Sequence, residues 1–134
     1  MNHSRHIGRA KAAAHADRGA VDVSIQMLFG AVAVIMVMLL VFEATAYWHA
    51  RNVYDEAATE GVRVAAAFDG SCAEGQAAAR RVIERMASGW TDRVEVQCKA
   101  GATVTVIIRG RTPGVLGRGL GTWVTVVESA PKER

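Results

Sequence analysis

From Met27 to Phe42 the sequence reads MLFGAVAVIMVMLLVF, with no polar side chain anywhere in the run. Extended back to Ala20, the segment makes a helix of about 33 Å at 1.5 Å per residue, enough to cross a hydrocarbon core of roughly 30 Å. In a chain of 134 residues this segment decides most of what remains possible. The rest of the chain is too small to surround such a helix on all sides, which argues against the core helix of a soluble protein. A cleaved secretory signal is the other rival. The basic stretch before the run and Ala44-Thr45-Ala46 after it would suit one, but the apolar core exceeds the usual length and Glu43 sits beside the would-be cut. The reading is therefore a single membrane span over 20–42.

Charge sets its direction. Arg5, Arg9, Lys11 and Arg18 precede the run, whereas only Arg51 and Arg63 lie in the stretch that follows, so the positive-inside bias puts the N-terminus in the cytoplasm and the rest outside. Tyr47 and Trp48 follow just beyond the run, where amphipathic rings favour the headgroup layer, although ordinary helix packing would explain them equally well. The N-terminal tail, 1–19, is polar and alanine-rich and is expected to lack regular structure. The first turns of the span carry Asp22, Ser24 and Gln26, polar groups that an ordinary anchor would avoid.

Helical spacing continues past the span. Tyr47, Ala50, Tyr54, Ala57, Gly61, Ala65 and Phe68 recur at three- and four-residue steps without an intervening proline, which predicts one helix from about Ala20 to Phe68. Within it Ala57, Gly61 and Ala65 form a small-residue ridge that lets another backbone approach closely. That backbone would be either the chain's own remaining structure or a neighbouring subunit. Asp69-Gly70 then supplies a turn, Ser71-Cys72-Ala73-Glu74 reads as a capping box, and Ser88-Gly89 as a stop, predicting a second helix over 72–87 with Ala78, Val82, Ile83 and Met86 inward. Residues 93–98 and 103–109 alternate around the turn Lys99-Ala100-Gly101-Ala102, with Val94, Val96 and Cys98 on one face, and 122–128 reads as a third strand after a glycine-rich connection. The expected fold class is α+β: a long N-terminal transmembrane and stalk helix, a short second helix and a three-stranded antiparallel sheet. The domain layout is a basic tail or leader at 1–19, a span at 20–42, a stalk at 43–68 and a small domain at 69–134.

Cys72 and Cys98 both fall in that small domain. On the oxidising side of a membrane such a pair is expected to form a disulfide, closing a loop of about 27 residues and stabilising by roughly 3 kcal/mol through chain entropy. Free buried thiols are the alternative. A metal site lacks further ligands near this pair, and no C-x-x-C motif is present.

No catalytic arrangement emerges. There is no G-x-S-x-G and no H-E-x-x-H; His3, His6 and His15 lie in the tail, and His49 stands alone on the stalk. The glycines of GVLGRGLG lack the Lys-Ser/Thr ending of a phosphate loop. The formal charge of +3 is scattered rather than striped with aromatics, which argues against nucleic-acid binding. No enzyme activity, cofactor or metal is expected.

The order of a basic tail, DRGAV, an apolar helix, YWHARNVYDEAATEGVRVAAA, a short helix, VTVIIRGRTPGVLG and a final VTVVESAPKER resembles the TadE-like family of small bitopic proteins. Members accompany tight-adherence (Flp-type) pilus machinery as pilin-like or pseudopilin components, and the resemblance spans nearly the whole chain. It implies a non-catalytic role in assembling or initiating a surface pilus, with membrane lipid, other pilin-like or machinery subunits and a prepilin peptidase as partners. It also implies a cut between Gly19 and Ala20, leaving Asp22 and Ser24 as candidate subunit contacts alongside Ala57, Gly61 and Ala65. The family places a glutamate fifth from the cut; here that position is Ser24 and the acid falls at Asp22. The implied location is the cytoplasmic (inner) membrane, extending to the cell-surface pilus if the chain enters the fibre. A function of another class is a membrane-tethered extracytoplasmic binding module whose sheet recognises a ligand or envelope polymer.

Overall fold

The structure is a computed structural model that describes residues 3–115, 117 and 120–133, with side chains from residue 23 onward except Asp92. The fold is α+β. Helix α1 covers His3–Ala66 and α2 covers Cys72–Met86; strands β1 (Asp92–Lys99), β2 (Thr103–Arg111) and β3 (Trp123–Pro131) follow. The chain divides into two compact units, Met1–Leu40 and Val41–Arg134.

In the first unit the helix already begins at His3, so the tail expected to lack regular structure lies within α1. Its AKAAAHA stretch is built from strong helix formers, and that local propensity outweighs its polarity. The apolar run is unburied in this unit, apart from a half-buried Leu39, unlike the mostly buried core helix of a soluble fold. By length and composition it fits a transmembrane helix, and the chain is compatible with a single-pass membrane protein.

The second unit holds the core. Ala50, Val53, Tyr54, Ala57, Ala58 and Val62 form the buried stripe of α1, packed with Ala79, Val82 and Ile83 of α2 and with Val96, Val106, Ile108, Val124 and Val126 of the sheet. Three- and four-residue spacing on the helices and period-two spacing on the strands bring these side chains to one interior. Phe68, expected to extend the stripe, lies beyond the end of α1 and is exposed. Strand order is β1-β2-β3, antiparallel throughout. A bulge between Asp92 and Glu95 places Arg93 at φ 52°.

Helix α2 begins as its sequence dictates. The Ser71 side chain accepts from the Glu74 backbone N–H at 3.3 Å, while the Glu74 carboxylate accepts from the Ser71 N–H at 3.0 Å. Its buried face is Gly75, Ala78, Ala79, Val82 and Ile83. Met86, expected inward, is exposed; it is the last helical residue, and the chain turns so that Ala87 is buried in its place.

Candidate functional site

The small-residue ridge has an occupant within the chain. A Cβ added at Gly61 would stand 3.0 Å from the Gly75 carbonyl oxygen, 3.1 Å from the Ala79 methyl and 3.5 Å from Val106. One added at Gly75 would collide with the Ala65 methyl and the Gly61 carbonyl oxygen at 2.6 Å. Two glycines thus let α1 and α2 cross at backbone distance. Ala57, Gly61 and Ala65 are buried, and of the two partners open to this ridge the chain's own structure is the one seated on it: Gly61 meets α2 and β2, and Ala65 meets α2.

Cys72 and Cys98 form a disulfide, with Cα atoms 5.5 Å apart. It joins the first residue of α2 to β1, and no free cysteine remains.

A lysine closes the far end of α1. Lys132 Nζ donates to the carbonyl oxygens of Ala65 at 3.0 Å and Gly70 at 2.7 Å, and also to that of Ala67. The Glu133 backbone N–H donates to Ala66 O at 2.9 Å. Four carbonyls at or after the last turn thereby find donors, and the cation sits where the helix dipole favours it.

At the near end of the same unit, Glu43 holds the loop between β2 and β3. Its carboxylate accepts from the Val115 N–H at 3.3 Å and the Thr122 hydroxyl at 3.4 Å. The loop's base is pinned by buried Thr112, which bonds Thr122 through its backbone N–H at 3.0 Å and its hydroxyl oxygen at 2.9 Å. The glycine-rich connection is therefore tied to the helix. Gly114 and Gly121 are needed for contact: a side chain at Gly121 would collide with the Thr112 carbonyl, and one at Gly114 with the Gly121 backbone. His49 is exposed, its ring meeting that of Trp90 edge-on at 5.5 Å.

On the open face of the sheet the Arg109 guanidinium stacks 4.6 Å from the Trp123 ring centre and that of Arg111 lies at 5.6 Å. Arg109 and Trp123, with Glu95, Gln97, Ile107 and Thr125, line a shallow cleft of about 330 Å³. Sequence reading missed this stack because the partners come from two strands; the register that pairs Arg111 with Trp123 creates it. Among the described residues no cluster of three or more His, Cys, Asp or Glu could hold a metal ion.

Gly19, Ala20 and Asp22 lie within α1 along the backbone, but their side-chain environments fall outside the described residues; Ser24 is exposed. In comparisons with protein-family models, curated proteins and solved structures, nothing matches this chain.

Proposed function

We propose that this chain is a non-catalytic, pilin-like membrane component in the assembly or initiation of a Tad/Flp-type surface pilus. In this reading it sits in the cytoplasmic membrane with its N-terminus inside and its C-terminal domain outside. The observation that carries the reading is the apolar helix: side chains from Val23 to Phe42 are exposed almost throughout, in a chain whose head is built on later turns of the same helix. Such a surface requires lipid or the flanks of other helices around it. Lateral contact with like helices is what a pilin-like subunit uses, and the TadE-like order of motifs points the same way. Because the Ala57-Gly61-Ala65 ridge is filled from within, subunit contacts fall to the span and its first turns. Asp22 near the bilayer edge is suited to pair with a neighbour's amine, including one freed by a cut between Gly19 and Ala20. Intact mass of protein from its host distinguishes a chain beginning at Ala20 from one retaining residues 1–19.

The test is co-purification from detergent-solubilised membranes. Recovery of pilin-like or pilus-machinery subunits supports the reading. Their absence, with an envelope polymer or soluble ligand recovered instead, favours a membrane-tethered binding module. The Arg109–Trp123 stack on the open sheet face is the observation that supports this second reading. Trp123→Ala separates the two, because a ligand site on the sheet loses binding while subunit contacts made by the span remain.

A further inference from the structure

We propose that Val115 and Leu120 of the connection between β2 and β3, together with Trp48 and Trp90, form a lipid-interface binding surface that seats the C-terminal unit on the headgroup layer. The proposal rests on reading the apolar run as a membrane span and is independent of any role in a pilus.

Position comes first. Glu43 is the residue immediately after Phe42, the last of the apolar run, so a span ending there puts residue 43 at the water boundary. Its carboxylate holds the loop at Val115 and Thr122, bringing a segment more than seventy positions away to that same level. Trp48 is on the next turns of α1, and Trp90 is fixed there by its ring contact with His49. Residues 43 to 49 advance about 9 Å at 1.5 Å per residue, comparable to the depth of one headgroup layer.

Chemistry comes second. Leu120 is 70% exposed, Trp48 64%, Trp90 53% and Val115 40%. Each is costly in water and favoured at the boundary between headgroups and acyl chains, where tryptophan also keeps its N–H wet. At about 100° per residue, Trp48 projects roughly 140° from Glu43 and His49 roughly 120° the other way. The loop, Trp48 and the His49–Trp90 pair therefore lie on three sides of the helix. A protein partner would need to encircle the helix to cover all three, whereas a bilayer crossed by that helix does so by continuity with the span.

The test uses the full chain, its disulfide oxidised, in phosphatidylcholine–phosphatidylglycerol vesicles. A nitrobenzoxadiazole label is placed at Leu120→Cys, Trp48→Cys, Val34→Cys or Thr103→Cys, one at a time. Quenchers are lipids with a nitroxide near the headgroup or at mid-chain. Labels at residues 120 and 48 are expected to lose fluorescence to the shallow nitroxide, the label at 34 to the deep one, and the label at 103, on the opposite end of the sheet, to neither. If residue 34 is quenched at depth while residue 120 behaves like residue 103, the interfacial seat is overturned and the span stands. If residue 34 is not quenched by the deep nitroxide, the span reading fails, and the interfacial seat, which rests on it, is overturned with it. A label at 120 that is shielded from water yet unquenched by either lipid means that a second copy or another protein covers the loop, which also overturns the proposal.

Discussion

The Tyr54 ring occupies the space that a side chain at Gly110 would need: a Cβ there would collide with the hydroxyl and come within 2.7 Å of Cζ. Tyr54 is 0% exposed, and its hydroxyl finds no hydrogen-bond partner among the described residues. Gly110→Ala should therefore destabilise the C-terminal unit by about 1–3 kcal/mol through overpacking. Tyr54→Phe, which removes an unpaired buried hydroxyl, should be neutral or stabilising by about 1 kcal/mol. Thermal melts of the two variants and of the double variant measure the coupling. A larger loss from Tyr54→Phe than from Gly110→Ala would contradict this packing.

The same tyrosine makes stability depend on alkaline pH. Burial pushes its phenol up to about 12. The folded value lies above the unfolded value near 10, so the neutral ring's contribution is complete below pH 10 and is lost as pH rises toward 12. Wild type should lose about 2 kcal/mol more than Tyr54→Phe across that window. Parallel denaturation series at stepped pH read the difference.

Non-reducing electrophoresis after alkylation should detect no modifiable cysteine until reductant is added, since Cys72 and Cys98 are joined. Cys98→Ser should cost roughly 3 kcal/mol, a fall of ten degrees or more in Tm for a small domain at about 4–8 °C per kcal/mol.

Lys132→Met should remove three donor contacts from Ala65, Ala67 and Gly70. Hydrogen bonds to a charged group are worth about 1.5–3 kcal/mol, so the variant should melt lower and lose hydrogen-exchange protection in the last turn of α1. Unchanged protection there would mean that water caps the helix equally well.

What was legible in the sequence was local. The Ser71–Glu74 capping box lies within four residues, the hairpin is announced by alternation around a turn, and the stripe from Tyr47 to Ala65 follows from helical period alone. What was hidden needs two distant segments to meet. Gly61 declares a close approach but not that Gly75 makes it, and Gly110 looks like a flaw in a strand until Tyr54 is laid across it. Glu43 reads as the end of an apolar run, with nothing in its neighbours to signal a loop at Val115. Lys132 reads as a charged tail residue, because its role depends on where the third strand ends relative to α1. Met86 misled because helical period marks a face but not where the last turn leaves it.

Orientation is checked by fusion. Four basic residues before the apolar run, against two (Arg51 and Arg63) in the stretch just after it, predict that a reporter joined after Arg134 is active only outside the cytoplasm. Cytoplasmic activity of that fusion would reverse the topology and remove the compartment in which the disulfide is expected.

The pilus assignment itself is tested most directly in the host. Deleting the coding sequence and counting surface filaments by electron microscopy should show their loss, with recovery when the wild-type chain is supplied. Filaments of unchanged number and length in the deletion strain would contradict a role in pilus assembly or initiation.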